Sequence, residues 1–501
     1  MGIGPYKKEI SSLNLYLTGH TYQYAAEQVL LLFFPEERPL YPDGPPTGDR
    51  AELSLRFGAR YVTAHCKLVL DGQSFSGAAR VAAATLTNRL LTDRLCQRMV
   101  KKAFYRAALR SGCPKPVWGS LTGIRPGKLM SGYLASGLSE GQALTKFCRD
   151  WDVSPARARL CLDTAKASRA VAASLAERDV CLYAGIPFCP SRCAYCSFVS
   201  QSVEKSMALL EPFLEALFRE IDATAEILER LRLRPVALYI GGGTPTTLSA
   251  AQLEALCARL ASRFDLGRLT EYCVEAGRPD TITAEKLAVL REFGVTRLSV
   301  NPQSMCDGVL GAIGRKHTAA DIEAAVDIAR KTGGFALNMD LIAGLPTDTP
   351  RGFSHTLNRV LALEPENITV HTLARKKGSA ITEGRTPLPS AAEVEGMLNE
   401  AAMRLPSAGY TPYYLYRQKF MAGGFENVGW SRPGFLNRYN VCIMEELCGV
   451  IAMGGGASTK LVSPKGRIER VFAPKYPKEY IAGVEKVLAE KVRIEDFYHE
   501  F

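Results

Sequence analysis

Gly185-Ile186-Pro187-Phe188-Cys189-Pro190-Ser191-Arg192-Cys193-Ala194-Tyr195-Cys196 crowds three thiols into eight residues, directly after the apolar run Leu182 to Ile186, which reads as a strand. Composition does not explain that density. The chain has 14 cysteines in 501 residues, and most, such as Cys161, Cys257 and Cys448, stand singly between apolar neighbours as small core residues. They do not form a disulfide framework. Four thiolates would complete a structural zinc site or an ordinary iron–sulfur cluster, whereas C-x3-C-x2-C supplies three and leaves one metal position open. An open iron can bind substrate. A three-cysteine zinc site completed by a distant His317 or His371 is the alternative.

Outward from this loop, short apolar or β-branched runs alternate with amphipathic windows. Strands are expected at Leu182 to Ile186, Val236 to Ile240, Tyr272 to Glu275, Arg297 to Val300, Ala336 to Leu341 and Ile368 to Thr372. Helices are expected at Met207 to Leu231, Ala251 to Ser262, Ala284 to Phe293, Ala319 to Lys331 and Phe353 to Leu363. Six β/α repeats with short turns imply a parallel sheet curled as a partial or full barrel, with chemistry at the C-terminal strand ends.

Before it, residues 1–175 read as a mixed α/β domain, with strands at Leu13 to Leu17 and Ala51 to Phe57 and helices at Tyr22 to Phe34 and Val81 to Ser111. Gly119 to Lys128 is a glycine-punctuated turn into a helix whose spacing fails the Walker A pattern. After the barrel, residues 176–390, a C-terminal region spans 391–501, with a helix at Ala391 to Leu405 and a Tyr-rich stretch at Tyr413, Tyr414 and Tyr416. There Gly454-Gly455-Gly456 closes a strand at Cys448 to Met453, so backbone should approach something closely.

The net charge is +11, concentrated in residues 80–130, where eleven Lys/Arg face only Asp93. Such a field attracts polyanions, or is simply a solvated helix face. No run approaches the roughly 20 apolar residues of a membrane span. The beginning of the chain shows no secretory or transit pattern, so a cytoplasmic protein with reduced thiols is expected.

The cysteine motif resembles that of the radical S-adenosylmethionine (SAM) superfamily, and Gly241-Gly242-Gly243-Thr244-Pro245-Thr246 after the second strand strengthens the resemblance. It sharpens to the oxygen-independent coproporphyrinogen III oxidase-like proteins through Leu298 to Ser304, Ile313-Gly314-Arg315 and Asn338 to Pro346. The HemZ group is the nearest match through Gly119 to Lys128, Val274-Glu275-Ala276-Gly277-Arg278-Pro279-Asp280 and Tyr413 to Lys419. The resemblance implies an α/β fold: a partial (β/α)6 radical SAM barrel with an N-terminal α/β domain and a C-terminal α+β extension that covers the substrate.

It also implies a 4Fe-4S cluster on Cys189, Cys193 and Cys196, with SAM on its open iron. Gly242, Gly243 and Thr244 would contact the methionine part and Tyr195 would pack on adenine. Glu275, Gln303 and Asp340 would meet the ribose, and Arg315 would grip the SAM carboxylate. A glutamate or aspartate at a strand end can equally be a helix cap, and Arg315 a surface charge. In the family an external donor, such as flavodoxin or ferredoxin, reduces the cluster, and SAM splits into methionine and a 5′-deoxyadenosyl radical. The radical takes hydrogen from a propionate, which loses carbon dioxide and an electron to become vinyl. Two rounds turn coproporphyrinogen III into protoporphyrinogen IX. The tetra-anionic tetrapyrrole would meet Arg417, Lys419 and the basic stretch, with nucleic acid the less favoured partner.

One position departs from the oxidase pattern: Phe198 replaces a cysteine found two places after the third ligand, as in the haem-chaperone branch. Three functions follow: coproporphyrinogen III dehydrogenation, haem carriage, and methylation or opening of the haem ring. None of the six histidines lies in a compact haem-ligand motif.

Overall fold

The computed structural model describes residues 13–34, 37, 39–123, 125–196, 201–202, 206–374, 381, 387–418 and 424–500. These fall into two compact units, one within 13–126, 132–162 and 424–425 and the other within 127–131, 163–418 and 426–500.

In the first unit, β1 (Leu13–Thr18), α1 (Gln23–Phe33), β2 (Pro39–Leu40), β3 (Arg50–Phe57), β4 (Tyr61–Leu70), β5 (Gln73–Ala82) and α2 (Arg89–Arg110) are followed by α3 (Pro126–Ala135) and α4 (Glu140–Trp151). The sheet order is β2-β1-β3-β4-β5. Leu13, Leu15, Leu53 and Leu68 alternate with polar residues along the strands and pack on Val29 and Leu30 of α1 and Val100 and Phe104 of α2. The helix expected from Val81 starts eight residues later. Val81 and Ala82 finish β5, paired with Val62 and Tyr61. Asn88 sets the helix start, its side chain accepting from Leu91 N.

Much of the basic stretch is used within this unit. Lys102 is buried, 3.2 Å from Asp152, and donates to the carbonyls of Arg149 and Asp150. Lys101 donates to Gln28 and Thr122, and burial pulls its amine down to about 8. Arg106 and Arg110 donate to Ala78 and Ser76 carbonyls of β5. Arg89, Arg94 and Lys115 remain exposed.

Helix α5 (Pro155–Ala173) leads into the second unit. There β6 (Asp179–Ile186), β7 (Phe188–Cys189), β8 (Gln201–Ser202), α6 (Leu210–Arg230), β9 (Arg234–Gly242), α7 (Ala250–Arg263), β10 (Glu271–Glu275), α8 (Ala284–Glu292) and β11 (Arg297–Ser299) begin the repeats. They continue through α9 (Asp307–Ala312), α10 (Ala319–Thr332), β12 (Ala336–Ala343), α11 (Pro350–Ala362) and β13 (Asn367–Thr372). The strands β6, β9, β10, β11, β12 and β13 are parallel neighbours in that order, the expected six-strand set. This is the six-strand parallel β/α arrangement that the resemblance implied. Most buried strand positions are apolar because helices cover one face and the barrel interior the other, while Asn338 and Asp340 of β12 and Asn367, Thr369 and His371 of β13 set polar groups among them. Helix starts follow local chemistry: Ser249 with Gln252 and Thr318 with Asp321 form capping boxes for α7 and α10. Helix α6 buries Phe213, Leu214, Leu217, Ile221 and Leu228, a stripe at helical spacing worth roughly 1.5–3 kcal/mol per large apolar side chain.

The last part of the chain lengthens this same sheet at both edges. After α12 (Ala391–Ser407), β14 (Thr411–Arg417) and β15 (Glu426–Ser431) add antiparallel strands beyond β13. After α13 (Arg438–Glu445), β16 (Gly449–Gly454) pairs parallel with β6, and β17 (Ser458–Val462) and β18 (Ile468–Phe472) follow antiparallel. Helices α14 (Pro477–Ala482), α15 (Val484–Glu490) and α16 (Val492–His499) close the chain. Among the described residues no helix is long and apolar enough to cross a membrane.

Candidate functional site

Strand β6 ends at Ile186, and the three-thiol loop leaves from there. Its neighbours are held by glycines on both sides. Gly454 takes φ +98°, and a Cβ on it would lie 2.3 Å from Gly185 O, so the close approach expected of the glycine run is made to the base of the cysteine loop. On the other flank Gly243 N donates to Ile186 O (2.8 Å) and Thr244 N to Phe188 O (2.7 Å). A Cβ on Gly243 would stand 2.4 Å from Phe188 O. The Gly-rich turn after β9 therefore needs glycine to pack on the loop itself. Thr244 Oγ1 then reaches Cys189 Sγ at 3.5 Å.

Cys193 is met by Arg278, a residue without an assigned role in the sequence analysis. Arg278 is 3% exposed. Its guanidinium donates to Ser191 Oγ at 3.2 Å, lies 3.7 Å from Cys193 Sγ, and is held from behind by Asp280 at 3.2 Å. Burial raises the Asp280 carboxyl, but His317 and Arg278 outweigh it and push it down to about 2. Ala194 N donates to Ile313 O, fixing the middle of the loop. Arg315 is buried, donating to Asn301 O (2.5 Å) and to Tyr195 Oη (3.1 Å). The structure thus ties Arg315 and Tyr195 to one another at the loop.

At the strand ends, Glu275 accepts from Tyr239 Oη (2.6 Å) and Gly242 N (3.1 Å). Burial raises its carboxyl to about 7 against the lowering effect of the Tyr239 hydrogen bond. Asp340 accepts from Asn338 Nδ2 (2.9 Å) and lies 3.7 Å from His371 Nε2. Burial pushes Asp340 up, but His371 and Asn338 prevail and hold it below the usual carboxylate range. Gln303 bridges to β12 through Asp340 O and Ile342 N, yet its backbone is left-handed, φ +65°, a strain of about 1 kcal/mol. Among the described residues, neither its buried Oε1 nor Arg315 Nε has a hydrogen-bond partner.

The model of the radical SAM superfamily matches residues 183–360, the span that holds the three-thiol loop, the Gly-rich turn, Glu275, Arg278, Gln303, Arg315 and Asp340, while Gly454 and His371 lie after it. The oxygen-independent coproporphyrinogen-III oxidase-like protein HemZ of Bacillus subtilis is 39% identical over 382 residues, 75% of this chain and 76% of that protein. This chain belongs to the radical SAM superfamily, in the oxygen-independent coproporphyrinogen III oxidase-like family. The heme chaperone HemW of Haemophilus influenzae is 28% identical over 60% of this chain and 76% of its own length. Coproporphyrinogen III oxidase (HemN) from Escherichia coli, a solved radical SAM enzyme, aligns with TM-score 0.49 and 26% identity over 64% of this chain and 72% of that one.

In this radical SAM chain the expected tetrapyrrole contacts fare differently. Tyr413 and Tyr414, beside them in the Tyr-rich stretch, are 1% and 3% exposed and belong to the core. Tyr416 is half-buried, its Oη 3.5 Å from His371 Nδ1. Arg417 is buried at the end of β14, opposite Glu426 of β15, and burial pulls its guanidinium down to about 10 although Glu426 opposes this. Lys419 and Phe198 lie outside the described residues. The arginine in Val274 to Asp280 was visible in the sequence; only its distance from Cys193 gives it meaning.

Proposed function

We propose that this chain is a radical SAM oxidoreductase that carries out oxygen-independent oxidative decarboxylation of coproporphyrinogen III propionates to vinyl groups. One observation carries the reading: a three-thiol loop is clamped between two glycine backbones and faces strand ends whose polar atoms await a ligand.

The residues fit a 4Fe-4S cluster and SAM. Cys189, Cys193 and Cys196 are a thiolate set one short of closure, as a cluster with an exchangeable iron needs. Gln303 Oε1 and Arg315 Nε are buried and unpaired, a cost of about 1–3 kcal/mol each that a ligand hydroxyl and carboxylate would remove. When bound and reduced, the pair supplies a hydrogen-abstracting carbon radical. The chain's own part is to hold and exclude. Gly242, Gly243 and Thr244 carry backbone past the loop. Glu275, ionised above about pH 7, accepts hydrogen bonds from hydroxyl groups, with Asp340 and Gln303 as further ribose contacts. Tyr195, locked by Arg315, gives a flat face for adenine. Arg278 places positive charge beside Cys193. Arg417 and Lys419 are the proposed carboxylate contacts, with flavodoxin or ferredoxin as electron donor. The three-part division 1–175, 176–390 and 391–501, with the last part covering the substrate, belongs to the same proposal.

Anaerobic incubation of reconstituted protein with SAM, dithionite and coproporphyrinogen III tests it. Vinyl-bearing product with stoichiometric 5′-deoxyadenosine is expected. Tight haem uptake without turnover would replace the reading with haem carriage, which the similarity to a heme chaperone and Phe198 favour. Consumption of haem itself would point to ring chemistry.

A further inference from the structure

A second set of three cysteines lies in the core of the barrel unit. Cys181, in the middle of β6, and Cys442, on α13, are 0% exposed, and Cys448, just before β16, is 7% exposed. Their sulfurs lie within 4.8 Å of one another, and Cys181 Sγ is 3.8 Å from Cys448 Sγ. Among the described residues this is the only trio of cysteine, histidine or carboxylate ligand atoms so close together. A tetrahedral ion with Zn–S bonds of about 2.3 Å sets its sulfurs about 3.8 Å apart. The thiolates of a four-iron cube are held farther apart, on separate irons, so the two cysteine sets suit different occupants.

We propose that Cys181, Cys442 and Cys448 supply three thiolates to one thiophilic divalent cation, zinc(II), at a buried site independent of the iron–sulfur loop, with a water carried in by the ion as its fourth ligand. Each thiol gives up its proton on binding, and three thiolates with Zn²⁺ leave a charge of −1. Arg438 answers that charge, since it lies one helical turn before Cys442 on α13, with Ser174 Oγ accepting from its guanidinium at 2.7 Å. Asp179, two residues before Cys181 on β6, is the opposing charge, and Arg234 neutralises it through two hydrogen bonds of 2.6 and 2.9 Å. The rest of the wall is apolar or aromatic, with Val236, Tyr439 and Val450 in the same cluster, so the bound sulfurs are shielded from bulk water and oxidants. Burial requires that the ion enter as the unit folds. Once there it ties β6, α13 and the entry to β16, the two strands whose far ends meet at Gly185 and Gly454 under the cysteine loop.

The test uses the full-length chain with Cys189, Cys193 and Cys196 all changed to Ala, produced in cells supplied with Co²⁺ as the probe. About one cobalt per chain is expected, with a thiolate-to-cobalt charge-transfer band whose intensity counts three sulfurs and which disappears on Zn²⁺ exchange. Adding Cys442→Ser should lower the metal content at least tenfold while circular dichroism shows the fold retained. If that variant does not fold, Cys448→Ala takes its place. If neither folds, the sulfur count in the parent decides. Folded parent protein with less than a tenth of an equivalent of metal, a band worth fewer than three thiolates, or metal retained after loss of Cys442 overturns the proposal. Because the iron–sulfur loop is absent throughout, failure here is distinct from failure of the coproporphyrinogen reading.

Discussion

Cys189, Cys193 and Cys196 stand together because the chain spaces them within eight residues on a half-buried loop, whereas Cys181, Cys442 and Cys448 meet only after β16 has paired with β6 and α13 has packed into the core. The first set is surrounded by donors and backbone that hold it open: Thr244, Ser191, Arg278 and two glycines. The second is closed on itself in an apolar wall. Close spacing on a loop leaves sulfurs accessible to an exchangeable partner, and long-range convergence in a core favours permanence.

The strongest way to break this contrast is to exchange the losses. Cys193→Ala is expected to abolish cluster absorbance and bring 5′-deoxyadenosine formation to background, while Cys442→Ser leaves the iron content unchanged. Equal iron loss in both, measured by chemical analysis of anaerobically reconstituted protein, would show the two sets to be one system. Next in size is Gly243→Ala. Its Cβ would overlap Phe188 O, so backbone must move, and thermal unfolding should report about 2–4 kcal/mol of lost stability, together with loss of cluster binding. A smaller effect is expected of Arg278→Met. The fold and iron content should persist, but removal of a positive charge and an N–H group beside Cys193 makes the cluster harder to reduce, seen as a more negative midpoint potential in EPR-monitored titration. An unchanged potential would limit Arg278 to holding Ser191.

The smallest expected change concerns pH. The Glu275 carboxyl is raised to about 7, and it accepts hydroxyl hydrogen bonds best when ionised, so SAM affinity should rise as pH increases through that value, by less than about tenfold. Glu275→Gln should bind more weakly and show no such rise in isothermal titration. For stability the sign is opposite. Between the unfolded value of 4.5 and the folded value of about 7, the unfolded chain ionises first, so this group's contribution declines as pH rises across that window and is level above it.

The sequence made the cysteine loop legible because ligand spacing is local, and the six barrel strands because short apolar or β-branched runs alternate with amphipathic helical windows. Helix starts were legible to within a residue or two where Ser249 and Thr318 carry capping boxes. Around residue 81 the alanine-rich run Val81 to Ala84 favours helix by propensity, and the cap at Asn88 and the pairing with β4 decided otherwise. Cys448 read as a core residue and is one, but its sulfur partners lie six and 267 positions away, and no local pattern encodes such a meeting. The same holds for Arg278 and Cys193, 85 positions apart.

The pairing of β16 with β6 also fixes an order of events during synthesis. Strand β6 has β9 as its neighbour on one side early, but its other edge, from Val180 to Gly185, stays bare until Gly449–Gly454 leaves the ribosome. A bare edge on a parallel sheet invites pairing with foreign strands. A nascent chain of this protein therefore carries its sulfur-bearing loop on an unfinished support for most of translation. Truncations before residue 449 should aggregate.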